Sequence, residues 1–414
     1  MTNVQVQEKI CVIIGASHAG SLLAIQLRKE GWLGQIVLIG AEPQLPYHRP
    51  PLSKAVLAGE KEVDKVLLRP ALMYENNNVQ LRLGEQVTEI DCKNKVVSLQ
   101  NGESISYDKL ALCTGAVPKH LPIGEDLAGV HYLRNAEDVS HIRDDMKEGK
   151  HAIVIGGGYI GLETAAVMVK KGLTVTVVEM SSRLLQRVAS PVISDYFRLL
   201  HESNGVEIAT ETQVESIVAN DTGLSVQFVG GESRQADLVV IGVGVVPETA
   251  LAQNAGLEVA DGIVVDSYMR TSEPDVYAAG DCTVFPSPRY GRLLRLESVQ
   301  NALDQARIAA TSICDAQAVY DALPWFWSDQ YEVKLQSAGL RLDHESEIVR
   351  GDPLSTDPKG FSVFYMRGDR MISADCVNRA KEFMVCKRLI AERLPVNLEA
   401  LVDETVGPDQ FEKL

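Results

Sequence analysis

The chain has 414 residues, 45% hydrophobic and 23% charged, which excludes a disordered, collagen-like or coiled-coil protein. At roughly 100–200 residues per domain, it predicts two to four globular domains. Forty basic against 56 acidic residues leave a net charge of −16, which argues against general nucleic-acid binding because that needs a broad positive field. The clearest apolar stretch, Leu238 to Val246, falls well short of the roughly 20 residues that cross a bilayer. The opening MTNVQVQEKI has neither an apolar export core nor an Arg-rich amphipathic pattern. Seven cysteines, Cys11, Cys92, Cys113, Cys282, Cys314, Cys376 and Cys386, are scattered without a C-x-x-C pair. They predict no disulfide framework, no metal site and a reducing cytoplasm.

In chain order, the first signal is the apolar run Lys9–Ile14, followed at once by Gly15-Ala16-Ser17-His18-Ala19-Gly20. The run predicts a strand buried on both faces. A helix is predicted over Ser21–Glu30 and a second strand over Gln35–Gly40, ending at Ala41-Glu42. This is the strand–turn–helix–strand context of a dinucleotide fingerprint. Gly15 allows the tight turn, Gly20 allows close helix–strand packing, and helix-terminal N–H groups face a pyrophosphate. Glu42, 22 residues after Gly20, is placed for a ribose diol. Ser17 stands where the middle glycine is expected. On its own such a motif is compatible with an empty βαβ turn.

A second copy follows. The run His151–Ile155 leads into Gly156-Gly157-Gly158-Tyr159-Ile160-Gly161, then a helix to Lys170 and a strand over Thr174–Val178. Glu179 lies 18 residues after Gly161, where a carboxylate binds the 2′-hydroxyl of NAD and repels the 2′-phosphate of NADP. Arg183 and Arg187 nearby leave NADP open. Two units whose first glycines lie 141 residues apart imply two dinucleotides, one a held flavin and the other an exchangeable nicotinamide.

The sequence resembles the FAD-dependent pyridine-nucleotide reductases of the glutathione-reductase structural class. More narrowly it is similar to the NADH:ferredoxin reductases that serve Rieske dioxygenases and bacterial haem-thiolate monooxygenases. The resemblance covers essentially the whole chain. Its more specific segments are Arg49-Pro50-Pro51-Leu52-Ser53-Lys54 and Phe326-Trp327-Ser328-Asp329-Gln330, joined by Thr114-Gly115, Gly242–Pro247, Ala279-Gly280-Asp281 and Glu297–Ala302. Disulfide reductases of this class carry a redox Cys pair soon after the first βαβ unit, and related NADH oxidases a single Cys. This chain has no Cys between Ser17 and Glu89, so electrons must leave the flavin without a thiol relay.

The resemblance implies a fold and a set of roles. The fold is α/β, with two Rossmann-like dinucleotide-binding domains and a C-terminal α+β domain. An FAD domain is expected over residues 8–116 and 248–323, an inserted NADH domain over 117–247, and a last domain over 324–414. In that last domain, strands are expected over Tyr331–Ala338, Glu347–Arg350, Phe361–Arg367 and Met371–Cys376, and a helix over Lys381–Arg393. FAD binding is implied for Gly15, Ser17, His18, Ala19, Gly20, Glu42, Arg49, Lys54, Val87, Thr114, Gly115, Arg134, Gly280, Asp281, Glu297, Ser298, Val299 and Trp327. NAD binding is implied for Gly156, Gly158, Tyr159, Ile160, Gly161, Glu163, Glu179 and Gly244. Lys54 and Glu163 are the implied catalytic pair, with Glu163 approaching Lys54 beside the flavin.

Simpler readings stand beside these. Asp281 could be an Asx turn or helix cap, Glu163 a helix-dipole residue, Trp327 a core aromatic, Lys54 a solvated cation. His18 is expected in the loop, facing solvent or the phosphates. Tyr159 is expected to gate the nicotinamide pocket, and Cys113 and Cys282 to pack in the core.

The implied activity carries electrons from NADH through FAD to a [2Fe–2S] ferredoxin that feeds an oxygenase. Such ferredoxins are usually acidic, so local basic groups are expected to steer them: Arg289, Arg292 and Arg295, and a second set of Arg379, Lys381, Lys387, Arg388 and Arg393, with Trp327 near the partner surface. A monomer or weak homodimer is expected. The alternatives are a rubredoxin reductase with the same chemistry and a flavoprotein with a signalling role. The second would favour a targeting segment and a basic face.

Overall fold

The computed structural model describes residues 9–221, 223–355 and 360–413. Glu8 and Leu414, which bound the expected domains, and all but the last two residues of the N-terminal decapeptide lie outside them. The chain forms two compact units. One gathers residues up to His48, Val63–Val117 and Val246–Ala322; the other gathers Arg49–Glu62, Pro118–Val245 and Leu323 onward. Residues 49–62, which the sequence reading assigned to the FAD segment, therefore group with the unit that carries the second glycine loop. That unit also takes in the segments expected as separate NADH and C-terminal domains.

The first unit is built on a five-stranded parallel sheet in the order Val276–Ala278, Lys109–Leu112, Ile10–Ile14, Gln35–Gly40, Val79–Leu83. The central strands are apolar throughout because helices and loops cover both faces; Cys11, Val12, Ile13, Ile36 and Leu38 have essentially no exposure. The helix His18–Lys29 follows the first strand and packs on the helix Val299–Ile313. An antiparallel three-stranded sheet, Val87–Asp91, Val96–Leu99 and Ser104–Ser106, completes the strand–helix frame on one side.

The second unit repeats the design. Its parallel sheet runs Val206–Ala209, Thr174–Val178, His151–Ile155, Leu238–Ile241, Val130–Tyr132, with the helix Tyr159–Lys170 after the central strand. It also holds an antiparallel five-stranded sheet in the order Trp325–Gln330, Val333–Gly339, Arg370–Val377, Phe361–Arg367, Ser346–Arg350, covered by the helix Ala380–Glu392. The strand Trp325–Gln330 was not among the sequence expectations. The tail is tied to this sheet by Arg350, 2% exposed, which pairs with Glu382 at 2.9 Å and donates to the carbonyls of Ala400, Asp403 and Val406. The fold is thus the α/β arrangement that the motifs predict.

The two glycine turns are copies of each other in bond pattern. Gly15 N–H donates to Ile39 O and Gly156 N–H to Val178 O, each at 2.8 Å. At the last motif position the helix approaches its own loop so closely that no side chain fits. A Cβ on Gly20 would lie 2.0 Å from Gly15 O, and one on Gly161 2.2 Å from Gly156 O. Because the obstacle is backbone, it can yield only by parting helix and strand. Gly20→Ala and Gly161→Ala should each lower stability by about 1–3 kcal/mol, read from urea unfolding of the whole chain. Variants as stable as the parent would show that the loops are not this tight.

Candidate active site

In the first unit the glycine loop opens the helix at His18, which is buried beside the His48 ring (centroids 5.5 Å apart) rather than facing solvent. Ala19 is buried with it. Ser17 is the helix N-cap with φ −119°, an ordinary extended conformation that any residue adopts, which is why serine is admitted where glycine was expected. Glu42 follows the second strand and accepts a hydrogen bond from the Tyr47 hydroxyl. Thr114 Oγ1 donates to Glu248 O at 2.6 Å, and Glu248 N–H to Gly115 O, so this pair ties its turn to the returning chain.

Gly280 and half-buried Asp281 form the turn after Val276–Ala278. Gly280 N–H and Thr283 Oγ1 both donate to Gln305 Oε1, while Gln305 Nε2 is buried with no hydrogen-bond partner among the described residues. The wall of this turn thus keeps an unused donor, as a site for a polar cofactor would. Ser298 caps the helix Val299–Ile313 by accepting from Asn301 N–H. Val87, by contrast, is a core residue, 5% exposed.

In the second unit Gly158 is the N-cap of its helix, and a Cβ added there would meet nothing within 4 Å. The space in front of this helix start is open. Ile160 is exposed at the loop. Glu179 Oε2 accepts Gly157 N–H at 2.8 Å and Oε1 accepts Ser181 N–H at 2.7 Å, so the carboxylate is held at the strand end with lone pairs left for a ribose diol. Arg183 is committed to the Ala189 carbonyl and the Ser194 hydroxyl, which removes it as a 2′-phosphate ligand. Arg187 stays near the loop, its guanidinium 3.2 Å from where a Gly244 Cβ would sit. These residues fit a bound dinucleotide.

The same unit brings Lys54 and Glu163 together at 2.6 Å. Glu163 is 3% exposed, and a buried charge needs donors to replace water. Ser53 Oγ donates to Oε2 at 2.5 Å and Ser328 Oγ to Oε1 at 2.6 Å. Neither serine was singled out from sequence as a partner of Glu163, although both lie in the two segments that carry the resemblance. Tyr159, in the glycine loop, packs on Phe326 with ring centroids 4.7 Å apart, and burial pushes its phenol upward. Trp327 stacks on Trp325 at 5.6 Å. Arg49 Nη1 donates to Arg134 O at 3.0 Å, and the Arg134 N–H is held by Asp138, the second member of the Asn135 capping box.

Several of the expected basic groups carry acidic partners. Arg295 is paired with both Asp261 and Glu297. Arg379 is paired with Glu382 and Glu404, and Arg388 with Glu392 and Glu412. Lys387 lies over the Trp325 ring. Proximity in sequence had grouped the cations, but each of these arginines has one acidic partner two to four residues away and one from 24 to 34 residues away. Cys113 and Cys282 are buried, and burial raises both thiols above their usual range, so neither offers a thiolate near neutral pH.

The family described as pyridine nucleotide-disulphide oxidoreductase matches residues 9–306, and a reductase C-terminal family matches residues 325–407. The chain belongs to this oxidoreductase family. Putidaredoxin reductase of Pseudomonas putida is 42% identical over 402 residues, covering 95% of this chain and 94% of its own length. A rubredoxin-NAD(+) reductase of Pseudomonas putida is 38% identical over 372 residues, covering 89% and 96%. The solved covalent complex of putidaredoxin reductase with putidaredoxin superposes with a TM-score of 0.93 at 41% identity, covering 97% of this chain and 98% of that one. The protein is an oxidoreductase of the ferredoxin-reductase kind, using FAD and a pyridine nucleotide. The disulphide of the family's description has no counterpart between Ser17 and Glu89.

His201 is fully buried in this unit and burial lowers its pKa from 6.5 to about 4. Unfolded chains take up the proton first, so this residue's contribution is intact above pH 6.5 and is lost as pH falls towards 4. Relative to the parent, His201→Gln should lose less stability over that window, by about 3 kcal/mol. Urea unfolding at pH 7, 5.5 and 4.5 reads the difference. Parallel curves would mean that the imidazole is solvated.

Proposed function

We propose that the protein carries electrons from NADH through FAD to a [2Fe–2S] ferredoxin that supplies an oxygenase in the cytoplasm, working as a monomer or weak homodimer. The observation that carries this reading is the pair of matched glycine loops in a chain without a thiol where the disulfide reductases keep theirs. When bound, FAD supplies the exchange between a two-electron hydride donor and a one-electron iron–sulfur acceptor. We assign FAD binding to Gly15, Ser17, His18, Ala19, Gly20, Glu42, Arg49, Thr114, Gly115, Arg134, Gly280, Asp281, Glu297, Ser298 and Val299, and NADH binding to Gly156, Gly158, Tyr159, Ile160, Gly161, Glu179 and Gly244. The domain division we propose is 8–116 with 248–323, 117–247 and 324–414, with residues 49–62 of the first segment grouping with the second glycine loop.

The chain's own contribution is orientation and charge. The backbone N–H groups at the helix starts receive phosphate oxygens. The Glu179 carboxylate accepts from a ribose diol and repels an added phosphate, which favours NADH over NADPH. Lys54, fixed by Glu163, supplies a positioned cation that favours added electron density on the cofactor. Trp327 and exposed Arg292, with Arg289, serve the partner, whereas Arg295 is held by its two carboxylates. Rubredoxin is the second acceptor to consider, given the identity to a rubredoxin reductase.

The purified protein should be yellow, bleach anaerobically on NADH addition, and reduce cytochrome c only when ferredoxin is added. Colourless protein that cannot be reconstituted with FAD, or fast NADH consumption by oxygen alone, would overturn the reading. Glu179→Ala should lower the preference for NADH over NADPH by at least tenfold, measured as the ratio of kcat/KM values. Arg292→Ala should slow ferredoxin reduction at low salt and flatten its salt dependence, with flavin reduction by NADH unchanged. Equal rates at low salt would remove Arg292 from the partner surface.

A further inference from the structure

The chemistry of Glu163 extends beyond its three donors. Its carboxylate can only accept, so the one hydrogen of Ser328 goes to Oε1. Ser328 Oγ must then accept, and it does so from Gln330 Nε2 at 3.2 Å. That fixes which end of the Gln330 amide is oxygen, and Gln330 Oε1 faces His201 Nε2 at 2.8 Å. His201 Nε2 therefore carries the proton, which leaves Nδ1 to accept from the Tyr331 hydroxyl at 3.2 Å. Burial holds this imidazole neutral near pH 7, consistent with one N–H and one acceptor. Ser328, Gln330 and His201 are each 1% exposed or less, so water has little access to these bonds. Every donor in the series points the same way, from the helix Pro191–Ser203 through alternate residues of the strand Trp325–Gln330 to the carboxylate that holds Lys54.

We propose that Gln330 and His201 are positioning residues, which act through Ser328 to set the orientation of the Glu163–Lys54 ion pair. The proposal rests on the electron-transfer reading only for the value of that pair, not for the bonds themselves. Without Gln330 the Ser328 hydroxyl loses the donor that fixes its rotation, and Glu163 Oε1 loses a constrained partner in a buried site. The hold on Oε1 is then loosened while Ser53 and Lys54 keep Oε2, so the carboxylate turns relative to Lys54, which also donates to Pro50 O at 3.3 Å.

The test uses the full-length FAD-loaded protein with isotope-labelled lysine, the Lys54 signal being assigned with Lys54→Arg. Gln330→Leu and His201→Phe should each move the Lys54 side-chain resonance and slow anaerobic flavin reduction by NADH about three- to tenfold. In a Glu163→Gln background, Gln330→Leu should add no further loss of rate, because its route runs through that carboxylate. Tyr331→Phe, which removes only the terminal hydroxyl, should shift the resonance in the same direction by less, and replaces His201→Phe if that variant does not fold. An unmoved Lys54 resonance in folded Gln330→Leu, or full additivity with Glu163→Gln, would overturn the proposal. Failure of the electron-transfer reading looks different: the parent protein binds no flavin or is not bleached by NADH, while the Lys54 resonance still tests the series.

Discussion

A carboxylate near the start of a helix, shielded from water, has to be met by donors from elsewhere in the chain. Glu163 is such a group, and two segments answer it: Ser53 and Lys54 from one, Ser328 from another. Removing one partner of a buried ion pair typically costs about 3–5 kcal/mol, so this meeting point constrains both fold and chemistry. It gives a physical reason for residues 49–62 to group with the second glycine loop, since their polar side chains are what the buried carboxylate requires.

The two loops share one backbone solution. In both, the strand ends in a turn whose first N–H bonds to the neighbouring strand, and the last glycine lets the helix press on the loop. They differ at the middle position, Ser17 in one and Gly158 in the other, without backbone strain in either, because both residues are extended. The second loop leaves open space in front of its middle residue. The acidic residue at the second strand end also differs in its surroundings: Glu42 takes a tyrosine hydroxyl, Glu179 two backbone amides. Identical local geometry with different neighbours is what a chain needs to hold one nucleotide and exchange another.

Electrostatics at the surface follow a similar logic. A net charge of −16 suggested compensating basic clusters, yet several of those arginines are bound by carboxylates. Exposed pairs of this kind contribute little stability but do cancel local potential. The proposed recognition of an acidic partner therefore falls to individual exposed cations and aromatic surface rather than to a dense positive patch.

Much of the fold was legible because it rests on local signals. The apolar runs, the glycine spacing and the acidic residue after each second strand specified two βαβ units, and the strands Gln35–Gly40, Thr174–Val178 and Phe361–Arg367 were delimited to the residue. The two segments that singled out the family also contained the donors to Glu163, but periodicity says nothing about which serine meets which carboxylate. Partners such as Ser53 with Glu163, or Gln330 with His201, lie more than a hundred positions apart. The sequence by itself determined the dinucleotide-binding class and the absence of a thiol relay, because residue identity at fixed spacing carries both. Only the tertiary structure decided how the buried ion pair is held, that Arg295 also reaches Asp261 and that His18 is buried, because those depend on which distant groups come together.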